Sequence, residues 1–359
     1  MAERQSISRY DLDRDALAAL LSGQPRYRLE QVWDGLYGLG KDPAELTNLP
    51  KALRGQLDEL APRALRVAAE RQADRGDTIK TLWELHDGRL VESVLMHYPG
   101  RTTVCVSTQA GCAMACGFCA TGQAGFERHL SVGEIVEQVI AARRSAQSSN
   151  RRLSNVVFMG MGEPLANYDR LWEAIRRLHI DVGLSARHLT VSTVGIVPGI
   201  RRMATEAEPV NLAVSLHAAD DTLRDALVPI NRRYPLRELI AACEEYLEAK
   251  GRRLSFEWAL IDGVNDRNID AERLASIALR LRAHVNLIPL NATPGYPTTG
   301  TPPQRVAAFR DRLEDLGANA TVRKNRGNDI DAACGQLAAR AHAQPQTQVT
   351  AVPAPLRRG

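Results

Sequence analysis

Apolar positions along the chain change period twice. Over residues 1–63 they recur at helical spacing, with Leu17, Leu20 and Leu21 on one face and Val32, Leu36 and Leu39 on another. Pro50 and Pro62 punctuate these segments, and the pattern predicts a small N-terminal helical domain. From 64 to 100 it shortens to extended segments. Runs at 79–85 and 89–96 flank His86-Asp87-Gly88, and the Asp-Gly pair predicts a tight turn and a short β-hairpin extension.

Beyond residue 101 strands and helices alternate. Apolar or β-branched runs fall at 103–107, 155–159, 189–194, 210–216, 254–261 and 285–290, with a weaker one at 320–323. Amphipathic stretches at 131–144, 167–179, 235–249, 271–282 and 303–316 separate them, and Ser131 with Glu134 has the spacing of a capping box. This alternation predicts an α/β fold with a parallel sheet, barrel or open, over 101–340. The polar, Pro-rich residues 341–359 read as a disordered tail.

Composition adds bounds. The 359 residues are 44% hydrophobic and 25% charged, as in an ordinary globular protein. The balance of 46 basic against 42 acidic residues, +4 in all, is a faint pointer to an anionic partner. No run of apolar residues is long enough to predict a membrane span, and the charged opening lacks the apolar centre of a signal peptide. Six cysteines in so long a chain do not make a disulfide scaffold. The expectation is a cytoplasmic protein whose thiols stay reduced, available for metal binding or catalysis.

Three of those thiols stand as Cys112-Ala113-Met114-Ala115-Cys116-Gly117-Phe118-Cys119, directly after the first predicted barrel strand. Three thiolates on one short loop can hold three corners of a four-iron, four-sulfur cube and leave the fourth iron open. A structural zinc site would want four closed ligands, and the nearby additions, Cys105 and His129, lack zinc-ribbon spacing. Further polar groups fall at predicted strand ends: Gly162 and Glu163 in Gly160-Met161-Gly162-Glu163-Pro164, Ser192, Ser215-Leu216-His217, and Asn291. The C-terminal rim is where α/β barrels put their active sites. Singly, each position also reads as an ordinary turn or core residue.

The CxxxCxxC loop with an aromatic before its last cysteine resembles the signature of radical S-adenosylmethionine (SAM) enzymes. The resemblance implies a partial (β/α) barrel with a [4Fe-4S] cluster held by Cys112, Cys116 and Cys119. In that superfamily SAM chelates the fourth iron and is cleaved to a 5′-deoxyadenosyl radical. Gly162, Glu163, Ser192, Ser215, Leu216, His217 and Asn291 would then contact SAM.

Two cysteines outside the loop narrow the resemblance. Cys105, within an apolar strand, reads from its surroundings as a buried thiol. Cys334 follows Arg323, Lys324 and Arg326, and Asp329 or Asp331 would cap a helix carrying it, a setting that favours thiolate. Residues 329–337, DIDAACGQL, together with the 105–130 segment and Ser-Leu-His-Ala at 215–218, resemble the RlmN/Cfr family of RNA adenine methyltransferases over residues 25 to 340. The basic lead-in to Cys334 is most like the RlmN branch.

That resemblance implies methylation of adenosine C2 in the peptidyl-transferase region of 23S rRNA, and in tRNA, at a cost of two SAM per turnover. Cys334 would become S-methylcysteine, Glu92 would act as proton acceptor, and Cys105 would resolve the adduct through a transient disulfide with Cys334. An external electron donor such as flavodoxin, a monomeric state and no membrane partner complete the expectation. Apart from the resemblance, Glu92 reads as a solvated strand residue and Cys243 as core packing. Candidate RNA contacts are Arg26, Arg28 and Lys51, then Arg323, Lys324 and Arg326. The alternatives are a Cfr-like C8 methyltransferase, another radical SAM reaction such as peptide modification, and a non-enzymatic metal-binding RNA module.

Overall fold

The computed structural model describes residues 8–291, 293, 295–296, 299–323, 326–327, 330–332 and 336–337. Lys324, Asp329, Cys334 and the tail 341–359 lie outside the described residues.

Among the described residues, ten strands form one sheet. β1 (Leu65–Ala73), β2 (Thr78–Leu85), β3 (Leu90–Tyr98) and β4 (Arg101–Cys105) are joined antiparallel. β5 (Gln109–Gly111) and β6 (Phe126–His129) pair apart from it as a small ribbon beside the cysteine loop. From β4 the main sheet continues in parallel through β7 (Leu153–Phe158), β8 (Leu189–Thr193), β9 (Asn211–Ser215), β10 (Leu254–Leu260), β11 (His284–Pro289) and β12 (Ala320–Val322). Among the described residues, spatial order follows chain order with no reversal, as in a barrel rather than a doubly wound sheet, and β12 does not close onto β4. The expected α/β partial barrel is the observed fold.

Helices α1 (Arg14–Leu20), α2 (Tyr27–Trp33) and α3 (Lys51–Leu60) precede the sheet. α4 (Ala120–Ala124) and α5 (Val132–Ser148) follow β4, with the Ser131–Glu134 capping box in place. The remaining crossovers carry α6 (Tyr168–Ile180), α7 (Val197–Thr205), α8 (Asp221–Leu227), α9 (Leu236–Lys250), α10 (Asn268–Arg280) and α11 (Pro303–Asp315). Two of these, α7 and α8, are short, at nine and seven residues, and are not among the helical stretches read from the sequence. β1 is also absent from the sequence reading, because after Leu65 its residues are nearly all exposed and give no inward–outward alternation.

The N-terminal helices share the main apolar core, which runs from Tyr10 and Leu17 to Leu337. Buried arginines fasten them. Arg177 of α6 donates to the carbonyls of Tyr10 (2.5 Å) and Leu12 (3.0 Å), and Arg143 of α5 to that of Tyr37 (2.7 Å). Leu39, expected on an apolar face, is exposed: a π-type turn at Asp34–Gly38 rotates it away from Val32 and Leu36. Among the described residues no helix is long and apolar enough to cross a membrane.

Candidate active site

The parallel strands deliver their C-terminal ends to one rim, and the expected groups follow from it. Glu163 lies beyond β7, Ser192 is next to last in β8, Ser215 ends β9 with Leu216 and His217 after it, and Asn291 follows β11. Glycine makes the first of these turns possible. Gly162 has φ +100, and a Cβ there would lie 2.5 Å from Gln109 Cβ.

Glu163 is buried, its Oε1 accepting the Leu165 amide (2.9 Å) and its Oε2 the Val194 amide (2.8 Å). Burial nevertheless pushes it up to about 7. Those amides favour the carboxylate only in part, so a cationic group arriving beside it would restore the charge. The amino group of SAM has that chemistry. His217 is buried in left-handed backbone (φ +59), and its Nδ1 accepts the Ala259 amide (2.9 Å), which leaves the proton on Nε2. Burial lowers its pKa to about 3, so the ring is neutral.

The cysteine loop packs against this rim. Phe118 meets His217 edge-on at 4.8 Å between ring centres, and Cys116 joins Phe118, Ala218, Val228 and Ile261 in a second apolar cluster. Ala115 takes φ +54, and the Cys119 amide returns to the Cys116 carbonyl (3.1 Å), folding the three thiols back over a few residues. Burial pushes Cys112 up to about 12 and raises Cys116 as well, with the Glu163 charge adding to both. Bound iron would supply the positive charge that makes such thiols thiolates. Among the described residues no three His, Cys, Asp or Glu side chains gather as a single ion requires. A four-iron cube instead takes its cysteines at separate iron corners, which an open three-cysteine loop fits. His129, weighed as a fourth ligand, has Nδ1 3.0 Å from Gln109 Nε2.

Glu92 and Cys105 come together on the sheet extension. Val94 of β3 stands opposite Lys80 of β2 and opposite Cys105 of β4, so these three side chains share one face. Glu92, two residues before Val94, projects to that face too. It is buried, contrary to the solvated position its strand pattern suggests, and its carboxylate lies 3.1 Å from the Lys80 ammonium. Lys80 also donates to the carbonyl of Asp331 (3.2 Å), three residues before Cys334. Ser107 links this face to the Gly-rich turn, donating to the Glu92 carbonyl (2.6 Å) and accepting the Met161 amide (2.8 Å).

Several contributors escaped the sequence reading. Arg224 of α8 is fully buried and donates to the carbonyls of Val194 (2.6 Å), Leu216 (3.1 Å) and Ser215 (3.3 Å) and to Asn231 Oδ1 (2.8 Å). It ties the ends of β8 and β9 together. Asn265 donates to the His217 and Ala259 carbonyls (2.8 and 2.7 Å), and Gln109 accepts the Glu163 amide (2.8 Å). An isolated Arg, Asn or Gln looks solvated in sequence, and nothing local marks these three.

Of the candidate RNA contacts, Arg326 is engaged internally. It donates to the His97 carbonyl (2.8 Å) and lies over the Tyr98 ring at 4.3 Å. Arg323 lies 3.5 Å from Glu257, and Arg28 donates to Gln31 and to the Asn48 carbonyl. Arg26 and Lys51 are exposed.

An open sheet of seven consecutive parallel strands with a three-cysteine loop at its C-terminal rim defines the radical SAM class, and the radical SAM superfamily profile matches residues 106–275. A probable dual-specificity RNA methyltransferase RlmN of Salinispora tropica is 53% identical over 328 residues, covering 88% of either chain. That of Corynebacterium diphtheriae is 51% identical over 334 residues, covering 90% of each. A crystal structure of a radical SAM methyltransferase from Sphaerobacter thermophilus superposes with a TM-score of 0.90 at 50% identity, over 93% of this chain and all of that one. The chain belongs to the RlmN family of radical SAM, dual-specificity RNA methyltransferases. The family implies a [4Fe-4S] cluster and SAM.

Proposed function

We propose that this protein, in the cytoplasm, methylates C2 of an adenosine in the peptidyl-transferase region of 23S rRNA and of an adenosine in tRNA. It would act as a monomer supplied with electrons by an external donor such as flavodoxin. C2 of adenine is electron-poor and does not attack a methyl sulfonium, so ordinary displacement onto the base fails. Two SAM per turnover, one for the methyl group and one for one-electron chemistry at the cluster, answer that problem.

The chain's residues have separate tasks. Cys112, Cys116 and Cys119 hold the cluster. Gly162, Glu163, Ser192, Ser215, Leu216, His217 and Asn291 line the SAM site, with Glu163 facing its amino group. Cys334 carries the methyl group as S-methylcysteine, which would give up one hydrogen atom to the radical derived from the second SAM before its carbon joins C2 covalently. Glu92 removes the C2 proton, and the electron left over on the adduct would return to the cluster. Cys105 then attacks the Cys334 sulfur. The carbon–sulfur bond to the RNA breaks, its electron pair stays on carbon and takes a proton to complete the methyl group, and a Cys105–Cys334 disulfide remains.

The observation that carries this reading is the shared sheet face. Glu92 and Cys105 project from neighbouring strands to one side, and Lys80 beside them also holds Asp331, in the segment leading to Cys334. A metal-binding module without chemistry has no use for a buried carboxylate and a thiol on that face. Unstacking of the target adenosine is also required, so a loop nucleotide is the expected substrate.

Nucleoside mass spectrometry tests the proposal. Anaerobically reconstituted protein receives SAM, a reductant and unmodified 23S rRNA or tRNA. The expected product is 2-methyladenosine. The 8-methyl isomer would overturn the regiochemistry, and no methyladenosine, with SAM cleavage demonstrated, would overturn the substrate.

A further inference from the structure

Lys80 is one of five lysines in the chain and lies almost wholly buried in mid-strand on β2. A buried ammonium is costly unless its partners repay the lost water. Its partners are the Glu92 carboxylate (3.1 Å) and the Asp331 carbonyl (3.2 Å). They belong to segments more than two hundred residues apart.

The segment around Asp331 is held to the extension at further points. The Gly327 amide donates to Asp74 Oδ2 (3.2 Å), and Arg326 donates to the His97 carbonyl (2.8 Å). Asp331 takes φ +52, a left-handed conformation uncommon for a residue with a Cβ, and Ile330 and Ala332 on either side of it are buried. Asp74 and His97 fix only the segment. Lys80 holds the segment and Glu92 with the same ammonium.

We infer that Lys80 is a positioning residue for methyl transfer, setting the Glu92 carboxylate and the Cys334-bearing segment in register with each other. The inference rests on the proposed role of Glu92 as the base. Its physical content is geometric. Four side-chain torsions lead to one cationic head, and that head has donors enough for both partners at once. When Lys80 is removed, the carboxylate and the segment each lose their common reference. Displacements of about 1 Å at a reacting centre cost rates on the order of a hundredfold.

The test uses full-length, cluster-loaded protein and compares Lys80→Met, Lys80→Arg, Glu92→Gln and the double variant Lys80→Met/Glu92→Gln. Four quantities are read: methyl-transfer rate, KM for RNA, SAM cleavage, and yield of the covalent protein–RNA adduct on denaturing gels. Lys80→Met is expected to slow transfer by about a hundredfold. KM and SAM cleavage should stay within about threefold of the parent, while adduct accumulates as it does in Glu92→Gln. The double variant should be no slower than Glu92→Gln within about threefold, because both changes remove the same step. Lys80→Arg, which keeps a cation and several donors, should recover most of the rate.

Transfer by Lys80→Met at the parental rate, or losses that multiply fully in the double variant, would overturn the inference. A Glu92→Gln protein that transfers methyl normally would instead overturn the reading on which it rests. If Lys80→Met does not fold, Lys80→Gln keeps a donor for the Asp331 carbonyl without the charge, and the same two criteria apply.

Discussion

Arg224→Met should cost both stability and SAM affinity, and the magnitude can be worked from four hydrogen bonds. The guanidinium satisfies three carbonyls, of Val194, Ser215 and Leu216, and Asn231 Oδ1. Methionine fills similar space but makes none of these bonds, although the Leu216 carbonyl keeps the Ala218 amide (2.8 Å). At about 2 kcal/mol for each lost hydrogen bond to the charged guanidinium the gross loss is about 8 kcal/mol. Against this, burial holds the guanidinium down to about 10 from its ordinary 12.5, a penalty of about 3 kcal/mol that the substitution returns. The net loss is about 5 kcal/mol. A chain of 359 residues unfolds with an entropy of about 0.75 kcal/mol/K, so the melting temperature should fall by about 7 °C. Far-UV circular dichroism of the anaerobic protein measures this directly. The same bonds hold the ends of β8 and β9, from which Ser192, Ser215 and His217 project, so SAM binding by calorimetry should weaken by at least about tenfold. Arg224→Lys, with a compact head in place of the fork, should fall between. A melting temperature and SAM affinity both unchanged in Arg224→Met would refute the argument that this side chain builds the rim.

Other expectations follow from burial and placement. Glu163 and Glu137 are each pushed by burial from an ordinary 4.5 up to about 7, so between those values the native chain keeps protons that the unfolded chain has released. The contribution of these two carboxyls to stability should therefore be greatest below about pH 4.5, fall as pH rises through about 7, and level off above it. Glu163→Gln should remove about 3 kcal/mol of that slope, and melting curves across this range that keep their full pH dependence would contradict it. Phe118→Ala deletes the ring that seats the cysteine loop on His217, at about 3 kcal/mol. Its signature is fewer iron atoms per chain after reconstitution, and parental iron content would show the loop needs no such seat. Cys334→Ala should leave the cluster and SAM cleavage intact while abolishing methyl transfer. Cys105→Ala should instead trap a protein–RNA adduct, and an inactive Cys105→Ala protein without adduct would remove its resolving role.

Much of the fold was legible because its signals are local. Strands buried on both faces, such as those containing Val156 and Leu212, appear as short apolar runs, and the helices between them carry a helical apolar period and, at Ser131, a cap. The cysteine loop and the Gly-rich turn were legible for a different reason: each packs its chemistry into a handful of consecutive residues. What sequence could not show were long-range pairings. Glu92 looks solvated on its strand, yet it is buried because a segment from the other end of the chain covers that face. Arg224, Asn265 and Gln109 are polar residues whose partners are backbone groups of other elements, and backbone groups leave no trace in sequence. Leu39 failed in the opposite sense, since a π-type turn breaks the 3.6-residue period on which its placement depended.

The antiparallel extension explains how a barrel rim acquires a second set of groups. The positions proposed to face SAM lie at or just beyond the C-terminal ends of parallel strands, whereas Glu92, Lys80 and Cys105 lie within or at the end of strands that continue the same sheet past β4. Because opposite residues in paired strands share a face, adding β3 and β2 to the β4 edge carries the face of Cys105 outward in register. A one-residue slip between β3 and β4 would send Glu92 to the other face and separate it from Cys105. Register is held there by ordinary packing, Val94 and Val104 being buried in the core, and by Ser107, which bonds the Glu92 carbonyl and the Met161 amide at once. The geometry of the proposed base is thus fixed by the same hydrogen bonds that fix the Gly-rich turn. Ser107→Ala should accordingly impair methyl transfer more than SAM cleavage, although Ser107 neighbours the turn and lies on a different strand end from Glu92. Equal losses in both activities would mean that the turn alone depends on this hydroxyl.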